Sequence, residues 1–232
     1  MPTKREPTFT SASTVELYRA SANDLDVARA AWVSQDAAAH AKEAQEGRVE
    51  GLIRFLWRNR HTSPFEHGQF TFVVTTPIFV AREFMRHRTF SFNEISGRYT
   101  ELPDRFYLPP ADRPLRQEGK VGSYRFEPGD EQQVALVRET ITESTRCAHA
   151  AYRRLLDAGI AREVARDVLP VNLMTSFWAT TNPRNLMHFL GLRTAPDALH
   201  EIREVASQIE QHFAQQMPIT HRVWREDLGA RG

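Results

Sequence analysis

The positions of apolar residues along the chain predict several helices. In residues 23–34, the apolar residues Val27, Ala30, Ala31 and Val33 lie on one side of a helix that Asn23 or Asp24 can cap. Similar patterns, with their own start and stop signals, predict further helices at residues 47–60, 77–88 (with Thr76 as the cap and Pro77 in the first turn), about 130–158, 161–170, 183–193 and about 197–216. The sequence predicts no helix after the one at about 197–216.

Segments rich in β-branched and aromatic residues predict few strands, at residues 69–76, 104–110 and 171–181. Residues 110–130 are rich in proline, glycine and charge and are predicted to form a surface loop. Few strands, several helices and no βαβα alternation predict an α+β fold, with a small, mostly antiparallel sheet packed with several helices. Because no glycine-rich loop follows a predicted strand, a Rossmann or P-loop nucleotide site is disfavoured.

Length and composition narrow the class of protein. The 232 residues suit one domain, predicted over residues 13–232 after a flexible tail at residues 1–12. A net charge of +1 argues against a protein that coats nucleic acid. One cysteine, Cys147, and the lack of an apolar membrane or signal segment predict a protein of the reducing cytoplasm.

One segment, "RHRTFSFNEISGRYT" at residues 86–100, concentrates hydrogen-bonding side chains and is called the signature segment below. Arg86 and Arg88 supply forked donors, Glu94 an acceptor, and Gly97 allows the backbone to approach a ligand closely. A phosphorylated ligand with a hydrogen-bonding heterocycle would use all of these groups. The alternatives are cations at a helix C-terminus and a surface ion-pair network.

The order of these residues resembles a known family. Arg-His-Arg, seven residues, and then a serine continuing as "SGRY" is similar to the signature of the flavin-dependent thymidylate synthases. The resemblance continues in "RHTSPFEH" (60–67), "PIFVAREFMRHR" (77–88) and residues 159–193, and runs from about Asn23 to Ile202. It implies a thymidylate synthase-complementing-type fold and the reductive methylation of dUMP to dTMP. Methylenetetrahydrofolate would supply the carbon, and FAD reduced by NADPH would supply the hydride.

The resemblance also implies the roles of individual residues. Arg193 would be catalytic, because a fixed cation beside the uracil ring favours negative charge on it. The implied FAD-binding residues are Ser34, His61, Ser63, Glu66, Arg86, His87, Arg88, Glu94, Asn182, Arg184 and His188. The implied dUMP-binding residues are Glu83, Arg86, Ser96, Gly97, Arg98, Arg166 and Arg193. Relatives are tetramers whose flavin sites lie between subunits, so a homotetramer is expected.

Each assignment has a structural alternative. Arg166 could pair with Glu163 three residues earlier on its helix, and Arg193 could be a cation at a helix C-terminus. His87 could be a buried histidine with its hydrogen bonds satisfied. Cys147 is predicted to be a packing residue on an amphipathic helix, which leaves activation of the ring to electrostatics and not to a thiolate.

The sequence favours neither a serine nucleophile nor a metal site. Ser96 is interpreted as a hydrogen-bond donor to the nucleotide and not as a nucleophile, because no acid is evident to orient a neighbouring histidine. The spacing of His61, Glu66 and His67 matches no metal motif, so no metal is expected. Three rival interpretations stay open: a related flavin-dependent enzyme acting on another pyrimidine nucleotide, a non-catalytic nucleotide-binding regulator, and a plain arginine-rich structural domain.

Overall fold

A computed structural model describes residues 6–34, 46–120 and 123–231. Within these residues the chain forms eight α-helices: α1 Asp24–Trp32, α2 Glu46–Arg58, α3 Ile78–Phe84, α4 Glu131–Asp157, α5 Arg162–Ala165, α6 Pro183–Arg193, α7 His200–Gln216 and α8 Pro218–Arg231. The strands are β1 Thr8–Thr10, β2 Thr14–Ala20, β3 Phe70–Pro77, β4 Ser91–Glu94, β5 Arg105–Tyr107, β6 Arg116–Lys120, β7 Ser123–Glu127 and β8 Met174–Thr181. In the same ranges, 3-10 turns occupy Ser63–Glu66 and Arg166–Val168.

The largest sheet has four strands in the order β2-β3-β8-β4. Hydroxyl pairs join β3 to β8, with Thr71 to Thr180 at 3.0 Å and Thr75 to Ser176 at 2.7 Å. Residue numbers rise along β3 as they fall along β8, so these strands run antiparallel. β1 pairs in parallel with β5, and β6 pairs antiparallel with β7. Small sheets with eight helices confirm the predicted α+β fold.

The chain divides into two compact units, and β3 and β8 contribute residues to both. The first unit contains the residues up to Thr14, Thr75–Phe84 and Glu94–Phe177. Its core includes an edge-to-face pair of Phe84 and Phe177, with centroids 5.4 Å apart. That the chain is a single domain over residues 13–232 stays a prediction.

The second unit contains Val15–Val74, Met85–Asn93 and the residues from Trp178 onward. Phe70 and Phe213 are both fully buried there, and their rings meet edge to face with centroids 5.9 Å apart. The side chain of Asn23 caps α1 as the sequence predicts, accepting a hydrogen bond from the Asp26 N–H at 2.8 Å. The sequence therefore places α1 correctly from its cap, and the helix predicted at about 197–216 is observed as α7.

Several predicted boundaries are wrong. Thr8–Thr10, predicted to lie in the tail, form β1, which is held by its distant partner β5. The predicted helix at 77–88 ends at Phe84, and Pro77 closes β3. Arg86 and Arg88 are exposed on either side of the buried His87. The Arg88 N–H bonds to the carbonyl of Arg86 and the Phe90 N–H to the carbonyl of His87, so the chain forms turns there instead of continuing the helix.

The sequence also missed strands β2, β4, β6 and β7 and helix α8. For β6, β7 and α8, the stabilising partners are remote or charged. Residues 116–120 and 123–127, predicted as part of a loop, form the paired strands β6 and β7, in which Glu118 faces Arg125 and Arg116 faces Glu127. Opposite charges across the strands stabilise a segment whose composition resembles a loop. α8 was also missed, because its N-terminal N–H groups at Ile219 and Thr220 are capped by the distant carboxylate of Asp24.

Candidate functional site

The central contact in the second unit joins Arg193 to His87. Arg193 is the last residue of α6, and its Nε donates a hydrogen bond to Nε2 of His87 at 2.9 Å. His87 is only 8% exposed, and its ring meets Phe189 edge to face at 4.9 Å. Since a guanidinium can only donate, Nε2 accepts, and the proton of the neutral imidazole is on Nδ1.

The charge state of His87 follows from its surroundings. Burial lowers the pKa of His87 to about 4, with further contributions from the positive charge of Arg193 and from His188. His87 is therefore neutral at physiological pH and can accept from Arg193 without charge repulsion. The bond fixes one edge of the Arg193 guanidinium on a buried, packed ring.

A second group surrounds the start of α6. Asn182 caps this helix by accepting a hydrogen bond from the Asn185 N–H at 2.9 Å, and Pro183 occupies the first turn. Arg184 forms an ion pair with Glu66, which ends the 3-10 turn that Ser63 begins. The structure thus brings the predicted residues of "RHTSPFEH" next to those at the start of α6.

Other predicted FAD-binding residues lie at the surface of the same unit. His61 is exposed and meets Phe55 edge to face at 5.9 Å. The Ser34 hydroxyl donates to the carbonyl of Ala31 at 2.8 Å, at the end of α1. His188 is exposed on α6.

The guanidinium groups of the second unit suit a cofactor that carries phosphates. In the part of the chain that the structure describes, the side chains of Arg86 and Arg88 have no hydrogen-bond or ion-pair partner. With Arg184 they supply planar forks, which pair well with phosphate oxygens, and Ser63 and Asn182 add a hydroxyl and an amide. This donor set fits a dinucleotide such as FAD, whose diphosphate is anionic.

The first unit holds a separate group around Gly97. A Cβ atom at Gly97 would lie 2.9 Å from Cδ of Arg166 and 3.0 Å from Cδ1 of Leu102, so only glycine allows this close approach. The next residue, Arg98, donates from Nε to Oε2 of Glu163 at 2.9 Å. Ser96 precedes them, and its hydroxyl accepts from the Arg98 N–H at 3.3 Å.

The sequence paired Glu163 with Arg166 in the structural alternative, and the structure pairs it with Arg98 instead. Among the described residues the side chain of Arg166 has no polar partner, so that alternative is not the arrangement seen. Sequence reasoning therefore missed the main contact of Glu163. The only signal was the i, i+3 spacing, which points to the wrong arginine.

Two carboxylates of the predicted set have partners in the first unit. Glu94 Oε1 accepts from the hydroxyl of the buried Thr175 at 2.6 Å, which ties β4 to β8. Glu83 is half-buried on α3 and also interacts with other residues. The ligand contacts assigned to all these side chains stay predictions.

One residue prediction is wrong. Cys147 lies on α4 as expected, but it is exposed and is not a packing residue. The alanines beside it gave it an apolar context in sequence, yet this side of α4 faces solvent: Arg146 and Ala150 are exposed as well.

The residues that the structure describes contain neither a metal cluster nor a membrane span. Among residues 6–34, 46–120 and 123–231, no three His, Cys, Asp or Glu side chains are grouped to hold a metal ion. No helix in these ranges is both long and apolar enough to cross a bilayer.

Comparison with known proteins matches the chain to one family. The family model "Thymidylate synthase complementing protein" matches residues 16–219. The flavin-dependent thymidylate synthase of Streptomyces avermitilis is 47% identical over 229 residues, covering 94% of this chain and 93% of the relative. That of Tropheryma whipplei (strain TW08/27) is 46% identical over 229 residues, covering 95% of each.

A solved relative shows the same fold. The UMP/dUMP methylase PolB from Streptomyces cacaoi, bound with 5-Br dUMP, superposes with a TM-score of 0.89 at 48% identity, covering 94% of this chain and 97% of PolB. Bound with 5-Br UMP, it superposes with a TM-score of 0.88 at 46% identity, covering 96% and 97%. From the family match and these relatives together, the chain belongs to the flavin-dependent thymidylate synthase family.

Proposed function

We propose that this protein catalyses the reductive methylation of dUMP to dTMP, with FAD as cofactor and with methylenetetrahydrofolate and NADPH as co-substrates. The support is family membership over nearly the whole chain, together with relatives at 46–48% identity that are named for this activity. At that level of identity and coverage, the fold and the site residues of relatives are expected to be shared.

The observation that carries the proposal is the hydrogen bond from Arg193 to the neutral His87. Addition of a carbon to C5 of uracil requires the ring to become electron-rich, and a fixed guanidinium stabilises negative charge as it develops there. Held by one edge against a packed ring, Arg193 does not have to be ordered when the substrate binds. Reduced FAD, when bound, supplies the hydride that completes the methyl group.

The remaining residues of the proposed site bind and orient the nucleotide and FAD. Arg98 and Arg166 in the first unit suit the 5′-phosphate of the nucleotide, because each can pair with it through two nitrogens. Gly97 leaves the space that the Arg166 side chain occupies beside the signature segment. In the second unit, Arg86, Arg88 and Arg184 suit the phosphates of FAD, with Ser63 and Asn182 as neutral donors.

A product assay tests this function directly. Purified protein is incubated with dUMP, methylenetetrahydrofolate and NADPH, and the product is identified by mass. A nucleotide 14 mass units heavier than dUMP, formed only when all three are present, is the expected result, since replacing a ring hydrogen with a methyl group adds CH2. A folded protein that forms no new nucleotide, and whose flavin absorbance is not bleached by NADPH, would contradict the assignment and favour a non-catalytic nucleotide-binding protein.

One observation favours a second substrate. The solved relative PolB is described as a UMP/dUMP methylase and binds 5-Br UMP as well as 5-Br dUMP. We therefore propose UMP methylation as the alternative activity. Incubation with an equimolar mixture of dUMP and UMP separates the two, because dTMP and 5-methyl-UMP differ in mass by one oxygen.

Homotetramer formation is the further proposal, based on the resemblance to tetrameric relatives. In the second unit an aromatic pair lies at the surface: Tyr18 is 55% exposed, Trp178 is 43% exposed, and their rings are 4.4 Å apart. Large exposed aromatics are typical of surfaces that another chain covers. Light scattering should give a mass about four times the 26.6 kDa of one chain, and a monomer would contradict the proposal. The reducing cytoplasm remains the predicted compartment.

A further inference from the structure

Glu163 is a carboxylate to which the family resemblance gave no functional role, and it binds Arg98. Glu163 lies on the short helix α5, and Arg98 lies in the signature segment, 65 residues earlier in the chain. The contact uses Nε of Arg98, at 2.9 Å from Oε2. Within the described ranges, the terminal nitrogens of Arg98 have no hydrogen-bond partner.

Which nitrogen of Arg98 contacts Glu163 determines whether Arg98 can also bind a phosphate. A guanidinium presents five N–H groups in one plane, and its two terminal nitrogens form the fork that pairs with phosphate oxygens. A carboxylate that holds Nε leaves that fork available and fixes the plane in which it lies. A phosphate can therefore bind Arg98 without displacing Glu163.

A second contact links the same two segments. Arg166 follows Glu163 by three residues and begins the 3-10 turn after α5, and its Cδ lies beside Gly97. Gly97 immediately precedes Arg98, so both proposed phosphate-binding arginines and Glu163 lie within one small region of the first unit. The two arginines and the one carboxylate have a combined formal charge of +1, so this region attracts an anionic ligand.

We propose that Glu163 is a positioning residue for the 5′-phosphate of the nucleotide: it holds Arg98 through Nε so that the terminal nitrogens are oriented to receive the phosphate. The proposal rests on the proposed function, because it takes a nucleoside monophosphate as the ligand. Arg98 and Glu163 are 58% and 52% exposed, so without the contact the long arginine side chain would sample many rotamers. Ordering one such side chain on binding weakens affinity by about three- to tenfold.

The opposite role for Glu163 makes the opposite prediction. If the carboxylate competed with the phosphate for Arg98, removing it would strengthen nucleotide binding. If it positions Arg98, removing it weakens binding. The sign of the change in the dissociation constant therefore distinguishes the two roles.

The test measures dissociation constants of dUMP and of deoxyuridine, which lacks the phosphate, by calorimetry on the FAD-loaded protein. In Glu163→Ala, the dUMP constant is expected to rise by about three- to tenfold, whereas the deoxyuridine constant stays unchanged. Glu163→Gln keeps an acceptor oxygen for Nε and should lose less affinity than Glu163→Ala. Because Gln preserves the shape of the side chain, it also tests the proposal if the alanine variant folds poorly.

A double-mutant cycle shows whether the effect passes through Arg98. In an Arg98→Ala background, the further change Glu163→Ala should leave the dUMP constant unchanged, because no guanidinium remains to be oriented. The matched control is Glu101→Gln, which weakens another ion pair of the first unit, between Glu101 and Arg153 at 2.8 Å. This control should leave the dUMP constant at the wild-type value.

Several results would overturn the proposal. They are tighter or unchanged dUMP binding in Glu163→Ala, an equal loss for deoxyuridine, an effect that persists without Arg98, and an equal loss in Glu101→Gln. A wild-type protein that binds neither dUMP nor UMP would instead refute the proposed function, so the two failures are distinguishable.

Discussion

Nε of Arg193 donates a hydrogen bond to Nε2 of the buried His87 at 2.9 Å. The pair joins the C-terminus of α6 to the middle of the Arg-His-Arg motif within the second unit. The structural alternatives given for these two residues therefore describe them correctly. Arg193 is a cation at a helix C-terminus, and His87 is a buried histidine with a hydrogen-bond partner. Together they hold the proposed catalytic cation in place.

The first prediction concerns the dependence of stability on pH. The pKa of His87 is about 4 in the folded protein, below its usual 6.5, so the unfolded chain binds more protons between these values. The contribution of neutral His87 is fully present above pH 6.5 and is lost as the pH falls towards 4. Urea denaturation should show a loss of up to about 3 kcal/mol from this group. In His87→Gln, which cannot titrate, the free energy of unfolding should fall less over the same range, and parallel curves would contradict the account.

The second prediction uses Gly97. A methyl group there would lie 2.9 Å from Cδ of Arg166, and this flexible side chain can move away. Gly97→Ala should therefore raise the KM for dUMP severalfold while the free energy of unfolding falls by about 1 kcal/mol. Gly51→Ala on α2 is the control, because nothing lies within 4 Å of its added methyl group. An unchanged KM in Gly97→Ala would show that the position of Arg166 does not affect nucleotide binding.

The third prediction concerns the cap of α8. The carboxylate of buried Asp24 accepts hydrogen bonds from the Ile219 N–H at 2.9 Å, the Thr220 N–H at 2.8 Å and the Thr220 hydroxyl at 2.6 Å. Asp24→Ala leaves these donors without a partner and should reduce the free energy of unfolding by about 3 kcal/mol. Asp26→Ala, at a half-buried position in the first turn of α1, should reduce it by less than about 1 kcal/mol. Equal effects in denaturation curves would argue against Asp24 as the cap.

The fourth prediction tests activation without a thiolate. Cys147 is the single cysteine of the chain, and it is exposed on α4. If electrostatics activate the uracil ring, Cys147→Ala should form dTMP at the wild-type rate. Loss of dTMP formation in a folded, FAD-loaded Cys147→Ala protein would reassign the activation to the thiol.

Local signals in the sequence predicted the elements that carry their own caps. The Asn23 cap, the capping box at Asp130 and the proline at the start of α6 each lie within a few residues of the helix they begin. Elements with remote partners were missed. β1 depends on β5 almost a hundred residues later, and α8 is capped by Asp24 from the other end of the chain.

For the candidate site, too, the sequence predicted some features and missed others. The identities of Arg86, Arg98, Arg166 and Arg193 follow from motif order and spacing, which a single sequence displays. Their contacts do not, because the partners His87 and Glu163 are chosen by the fold. Glu163 shows this most clearly, since its nearest arginine in sequence is not the one that it binds.

The most direct test of the central claim is the rate of dTMP formation by Arg193→Ala, measured beside its flavin absorbance. The account predicts that the variant keeps bound FAD and loses dTMP formation by at least about a hundredfold, as expected when one charge-stabilising group is removed from a site. Arg225→Ala, which removes an arginine paired with Glu210 and given no role in the site, should keep the wild-type rate. A fully active Arg193→Ala enzyme would contradict the claim that a fixed guanidinium activates the uracil ring.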